Sequence, residues 1–328
     1  MRALRWIGIG TFGLAIVGAA VLAWKLHARP GLAEYTAHRY ALTSPRAGAL
    51  TATWFGTTAV LLRDGEHAIF IDPYFTRAPG LLNMLRNAKI SPDEDTIRRW
   101  LASGGGPSHT QVAKLDAVLV SHSHFDHGMD AGVVAQLTGA MLVGSASTAN
   151  IGRGARLPEE RLKVVVPDVP LQFGSFRVTF VEGVHAGASG GRPTGDITEP
   201  LTPPARYADY KLGGAYSILV EHPEGRVLHH GSAGFIEGKL AGRRADVVLL
   251  GVALLPDLET YLSEVVDAVG ARRVIPTHWD DFTRSLDEPL RPAPMLVDLE
   301  AFFREMPKAR PGIAVQTLEL GVPAALFP

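Results

Sequence analysis

The sequence contains no cysteine. That excludes a disulfide framework and thiolate ligands, so any metal bound here must be held by histidine, aspartate or glutamate. An excess of either charge is also missing: 32 Lys and Arg stand against 33 Asp and Glu, for a formal net charge of −1. A polyanion-binding surface needs clustered positive charge, so nucleic acid is not an expected partner. Short-period repeats and low-complexity tracts are absent as well. What remains is an ordinary globular composition over 328 residues, enough for one large or two modest domains with a substantial core.

Long uncharged runs are scarce, with one exception near the N-terminus. The basic opening Met1-Arg-Ala-Leu-Arg5 is followed by a stretch from Trp6 to Trp24 without a charge. Its length suits a bilayer-spanning helix, and the two terminal tryptophans suit an interfacial belt. Residues 1–29 therefore read as a membrane anchor, touching the membrane through residues 6–24. A cleaved signal sequence is the competing reading, because Gly18-Ala19-Ala20 and Val21-Leu22-Ala23 offer small residues for processing. Arg2 and Arg5 on one side nearly balance Lys25, Arg29 and Arg39 on the other. A very short N-terminal tail stays cytoplasmic as a rule. The expectation is thus a single pass through the inner membrane with a periplasmic C-terminal domain. Residues 30–48 read as a tether and residues 49–328 as the domain.

Within the domain, Thr51–Leu62 and His67–Ile71 predict two strands joined by the turn signal Arg63-Asp64-Gly65. Leu81–Ser103 is helix-rich, broken at Ser91-Pro92 and ended by Gly104-Gly105-Gly106-Pro107. Leu115–Val120 predicts a buried strand, Gly128–Leu137 a helix, and Met141–Val143 and Leu162–Val166 short strands. Leu171–Val184 predicts a hairpin turning at Gly174-Ser175. Gly187–Arg206, rich in glycine and proline, predicts a surface loop beside the site, either a lid or a mere insertion. Ala215–His222 and Arg226–His230 predict a hairpin around Pro223-Glu224-Gly225. Ala245–Val252 and Arg273–Pro276 follow as strands, with helices over Leu258–Val269 and Pro294–Met306. Each half of the chain thus runs from strands into strand–helix units, which fits two packed β-sheets with helices outside.

Residues Ser121–His127 read Ser-His-Ser-His-Phe-Asp-His. Residues two apart in an extended segment project to one side, so His122 and His124 can share one metal. The turn that follows can swing Asp126 and His127 towards a second. Imidazole and carboxylate suit zinc and similar divalent ions. Ligands distant in sequence should sit where strands end. His185 closes Phe176–Val184, His278 follows Val274-Ile275-Pro276-Thr277, and His229-His230 ends a third strand. Singly, each has a structural reading; beside the cluster, His185 and His278 become candidate ligands.

The segment His122-Ser-His124-Phe-Asp126-His127 resembles the His-x-His-x-Asp-His signature of the metallo-β-lactamase superfamily, over roughly residues 50–290. Thr53-Trp54-Phe55-Gly56, Ile71-Asp72-Pro73 and Ile275-Pro276-Thr277-His278-Trp279 look like the branch containing ascorbate-phosphate lactonase and N-acyl-phosphatidylethanolamine phospholipase D. The resemblance implies an α/β fold, a four-layer αββα sandwich, and one or two zinc ions, with manganese or iron left open. It implies that His122, His124 and His185 hold one ion, and Asp126, His127 and His278 the other. The family's bridging aspartate falls at Ser232, in Gly231-Ser232-Ala233-Gly234. Two close dications would there lack an anion to offset their repulsion, so the second site is expected to be the weaker, or the pair to be spaced differently. His229 or His230 either compensates or serves in the core or behind a ligand. Asp72 is read as the carboxylate that orients a ligand histidine, or as a turn residue before Pro73; Asp280 and Asp281 carry the same two readings.

The chemistry expected is hydrolysis by a metal-activated water, with Asp126 orienting the nucleophile and taking part in proton transfer. The apolar segment and Leu201, Tyr207 and Tyr210 near the long loop tilt the substrate towards a phosphodiester or lipid-like ester. Alternatives are a lactonase or carboxylic-ester hydrolase of the same fold, or a non-catalytic, membrane-tethered metal-binding protein.

Overall fold

In a computed structural model the described residues are 17–21, 35, 38, 39, 46, 48–78, 80–103, 112, 114–187 and 193–327. The first half carries β1 (Thr51–Trp54), β2 (Val60–Arg63), β3 (Ala68–Ile71), β4 (Lys89–Ile90), β5 (Ala117–Leu119), β6 (Met141–Gly144) and β7 (Leu162–Val164). The second carries β8 (Leu171–Phe173), β9 (Phe176–Gly183), β10 (Ala205–Arg206), β11 (Ala215–His222), β12 (Gly225–His230), β13 (Val247–Gly251), β14 (Arg273–Thr277), β15 (Ala314–Val315) and β16 (Ala324–Ala325). They form two seven-stranded sheets, β16-β1-β2-β3-β5-β6-β7 and β15-β14-β13-β12-β11-β9-β8, with a β10-β4 ribbon beside them. In each large sheet antiparallel hairpins pass into parallel strands, which apart from β12 and β13 are linked through helices. The two-halves pattern expected from the sequence is therefore present.

Period-two alternation decides which core each side chain enters. Ile69, Ile71, Ala117 and Leu119 face the second sheet, joining Phe176, Phe180, Ile218 and Ile275 in one buried cluster. The alternate residues Phe70 and Val118 face outward and pack with Trp100, Leu101, Val134 and Ala135 from the helices Glu94–Ser103 and Ala131–Thr138. On the other side Tyr261, Leu262, Val265, Phe302 and Met306 cover the second sheet. Strands buried on both faces read as continuous apolar runs, as Val247–Leu250 does.

Several boundaries differ from the sequence expectation. Thr51–Leu62 is two strands, because Gly56 (φ 83°) and Thr57 (φ 48°) turn the chain between them. The Leu258–Val269 helix starts as an α-helix at Leu258–Tyr261 and widens to a π-helix over Leu262–Asp267. The last helix starts at Leu299 rather than Pro294, where the Asp298 side chain accepts from the Ala301 amide at 2.9 Å and caps it. Helix Gly128–Leu137 is two pieces, Phe125–Gly128 and Ala131–Thr138.

The expected membrane span at residues 6–24 lies mostly outside the described residues; Val17–Val21 is helical and exposed. Among the described residues no helix is long and apolar enough to cross a membrane. Within the expected tether, Tyr35 and His38 stack on Phe303 at 4.9 and 4.4 Å, so the chain is docked on the last helix there.

Candidate metal centre

The signature loop follows β5 because Ser121 is tied down immediately after it. Its amide and hydroxyl donate to Asp72 Oδ1 and Oδ2 at 2.7 and 2.6 Å. His122 and His124 then leave the strand end, and His124 keeps an extended backbone as the residue before the helix Phe125–Gly128. Asp126 and His127 occupy the first turn of that helix, which sets them in a second group beside the preceding pair.

Two groups of donors result. His122, His124 and His185 form one, and Asp126, His127 and His278 the other, each with ligand atoms within 4.8 Å of one another. The His185 ring lies 4.8 Å from both His122 and His124, at steep angles to each. The groups adjoin: the His122 and His127 rings are 3.8 Å apart. His278 Nε2 is 3.3 Å from both His127 Nε2 and Asp126 Oδ2.

The donor set fits divalent metal on two observations. His122 Nε2 is buried without any hydrogen-bond partner, which is costly unless something else takes its lone pair. The outer nitrogens of other rings are also engaged: His127 Nδ1 with Asp72 Oδ2 at 2.9 Å, His185 Nδ1 with the Ala186 carbonyl at 2.8 Å, and His124 Nε2 with the Pro193 carbonyl at 3.0 Å. Such outer partners fix each tautomer and leave the other nitrogen for the shared centre.

The electrostatics agree. Burial, reinforced by the neighbouring imidazoles, pushes His122 well below the ordinary histidine value, so it stays neutral. Burial would raise Asp126, but His127 and His278 outweigh it and hold the carboxyl well below its usual range. For His127 burial pulls downward while Asp126 and Asp72 raise it, and the carboxylates win. The second group is thus a nest that favours positive charge.

Asp72 lies beneath this nest as an orienting carboxylate. Besides Ser121 and His127 it accepts from Thr58 Oγ1 at 3.0 Å. Ser232 falls beside His185, where its Oγ accepts from the Ala186 amide at 2.8 Å. Close packing accounts for the glycines around it: a Cβ on Gly234 would sit 2.3 Å from the Val184 carbonyl oxygen. His229 and His230 are both buried and belong to neither group. His229 faces inward and donates from Nε2 to the Thr58 carbonyl at 2.9 Å, with Asp72 Oδ2 3.9 Å away. His230 pairs through Nδ1 with Ser217 Oγ at 2.7 Å. Its Nε2 is unpartnered, and the ring lines a cavity of about 10 Å³ with His122, Ser217 and Ser232. Asp281 accepts from Thr283 Oγ1 and is a turn residue. Asp280 instead pairs with buried Arg77.

The described part of the long loop does lie beside the site, through Pro193. It is docked by Asn150 Nδ2 on the Ile197 carbonyl and by the Leu201 amide on the Asn150 carbonyl. Tyr207 packs on Phe125 at 4.8 Å, and Phe282 stands 5.7 Å from His278. Thr58, Ser121, Arg77 and the Pro193 carbonyl escaped the sequence reading. None carries a local signal, since each acts on a partner far along the chain.

Comparison with known proteins agrees with this architecture. Residues 51–278 match the family model described as a beta-lactamase superfamily domain. A UPF0173 metal-dependent hydrolase of Pyrobaculum arsenaticum is 26% identical over 243 residues, covering 72% of this chain and 87% of that protein. One from Myxococcus xanthus is 28% identical, covering 72% of each. Among solved structures, Igni18, a metallo hydrolase from Ignicoccus hospitalis, matches with a TM-score of 0.51 at 16% identity, over 84% of this chain and 97% of that one. An isothiocyanate hydrolase from Delia radicum gut bacteria matches at 0.50 and 13%, over 85% of this chain and 100% of that one. Sheet order, paired donor groups and the family match together establish that the chain belongs to the metallo-β-lactamase superfamily of metal-dependent hydrolases.

Proposed function

We propose that this hydrolase acts on a phosphodiester or lipid-like ester, with zinc as its metal. The observation that carries the reaction class is the adjoining pair of donor groups, His122/His124/His185 and Asp126/His127/His278. Those six side chains would hold the metal, which would activate water and polarise the scissile group, so no protein nucleophile is needed. The side chains do the rest. Asp126, held ionised by His127 and His278, orients the attacking water by accepting its hydrogen bond. Asp72 keeps His127 in one tautomer. His124, steadied by the Pro193 carbonyl, links the long loop to the site.

The substrate assignment draws on the wall beside His278. Phe125, Tyr207 and Phe282 form it, and Tyr74, Leu201 and Leu296 pack behind. Leu82, Leu85 and Met295 are 66%, 71% and 76% exposed on segments adjoining the same cluster, an apolar rim suited to acyl chains. Membrane attachment through residues 6–24, with the domain in the periplasm, would bring this rim to lipid. The motifs around Trp54, Asp72 and His278 support kinship with the phospholipase D-like branch. One feature favours a second reading: the guanidinium beside Tyr74, Arg77, is engaged by Asp280 and is not offered to a phosphate. A neutral lactone or carboxylic ester is the substrate in that reading.

The test is turnover by zinc-loaded protein of a chromogenic phosphodiester, a long-chain ester and a lactone panel. Preference for the phosphodiester or long-chain ester, abolished in Asp126→Asn, is expected. Turnover of lactones alone would select the second reading, and bound zinc with no turnover anywhere would leave a metal-binding scaffold. Fractionation of cells making a C-terminal reporter fusion checks the location; cytoplasmic reporter activity would reject the periplasmic assignment.

A further inference from the structure

Nine residues other than glycine have left-handed backbone among those described, and four of them meet around one donor group: Thr57 (φ 48°), Asp72 (49°), Arg77 (50°) and His278 (56°). Such conformations persist only where the surroundings over-determine them, and they gather at functional sites. Here the surroundings can be traced bond by bond. The Thr57 carbonyl accepts from the His278 amide at 2.7 Å and from Trp54 Nε1 at 3.0 Å. The next residue, Thr58, places its hydroxyl 2.9 Å from His127 Nδ1 and 3.0 Å from Asp72 Oδ2. Two consecutive residues of the β1–β2 turn therefore hold both histidines of the second donor group.

The turn itself is held by a buried ion pair. Asp280 Oδ1 accepts from the Thr57 amide at 2.7 Å, and Asp280 Oδ2 lies 2.7 Å from Arg77 Nη1 as a charge contact. Both side chains are at most 1% exposed. The guanidinium lies over the Tyr74 ring, 5.5 Å from its centroid, and fills the space where Gly56 would carry a Cβ, 1.8 Å from Nη2. Arg77 is set in turn by Asp130, which accepts from the Phe75 and Thr76 amides at 2.7 and 2.8 Å. Burying two charges is poor value for stability alone, since a well-packed apolar pair does as well or better. What this pair adds is geometry.

We infer that Arg77–Asp280 is a positioning pair that presets His127 and His278 for the second metal ion. It thereby offsets, through preorganisation, the bridging carboxylate that Ser232 does not supply. This inference rests on the two-metal reading above, and the experiment separates the two. Wild type and Arg77→Met/Asp280→Asn are titrated with Co²⁺, reading stoichiometry by calorimetry and ligand geometry from the visible absorption bands. Wild type is expected to fill in two steps. In the double variant the second step weakens roughly tenfold or more and its band changes, while the first stays within about twofold. Arg77→Lys keeps the charge but loses the planar fork, and should fall between the two. Should the double variant fail to fold, Arg77→Lys carries the decision alone. Two unchanged steps in the double variant, or in Arg77→Lys where that variant decides, would overturn the positioning role. A wild type that takes up no metal would overturn the metal reading, and the pair's role with it.

Discussion

At the scale of single residues, Ser232 and His230 give opposite lessons about what the family pattern leaves open. The Ser232 hydroxyl holds the Ala186 amide, next to His185, and offers no negative charge to a metal pair. Ser232→Asp should therefore strengthen binding of the second ion by roughly tenfold, measured by competition with a chromophoric chelator. Equal affinities would mean that the missing carboxylate is not what limits the second site. His230 concerns stability rather than metal. Burial, with His229 adding to it, pushes its pKa from 6.5 down to about 3, so the folded protein keeps the ring neutral. The unfolded chain takes up a proton near 6.5, so this contribution is complete above that pH and is lost as pH falls towards 3. His230→Phe removes the titration and strands Ser217 Oγ, at about 1 kcal/mol throughout. Urea midpoints measured from pH 7.5 to 4 should fall less steeply with acid in the variant. Parallel curves would contradict this account.

At the scale of elements, the segment over the helix Ala146–Gly154 is the most exposed to a small change. The last residue of that helix, Gly154, has the Leu201 carbonyl oxygen 1.8 Å from where a Cβ would stand. Gly154→Ala must push the 193–206 segment outward, at about 1–3 kcal/mol by chemical denaturation, despite the better helix propensity of alanine. Since Pro193 in that segment meets His124, affinity for the first metal should fall too. A stabilised variant would show that propensity, not packing, governs this junction. The same scale explains what could be read from sequence. Hairpins at Gly174-Ser175 and Pro223-Glu224-Gly225 fall as expected, because turn chemistry is local. The donors at 122–127 were legible for the same reason, their spacing being a property of seven consecutive residues. The break at Gly56-Thr57 was not, because Arg77 and Asp280 impose it from afar. Thr58 and Ser121, which hold Asp72, look like ordinary strand-end residues until the fold brings them to it.

At the scale of the whole molecule, each donor group draws on both halves of the chain. His122, His124, Asp126 and His127 follow β5, whereas His185 and His278 follow β9 and β14 in the other sheet. A ligand bound only by the folded form adds stability, about 2.7 kcal/mol at a hundredfold excess over its Kd. Chelator treatment should therefore lower the melting temperature, and it should do so far less in His185→Ala/His278→Ala. If both proteins lose equally, the metal acts elsewhere. The crossing of halves goes further. The link between β7 and β8 is exposed at Val166 and Val169, while β16 returns to pair with β1 across the division. A chain cut after Asp168 would yield two fragments, each carrying part of both donor groups and one lending an edge strand to the other. Their reassociation should depend on divalent metal and reverse on chelation, which would make the pair of fragments a metal-gated switch.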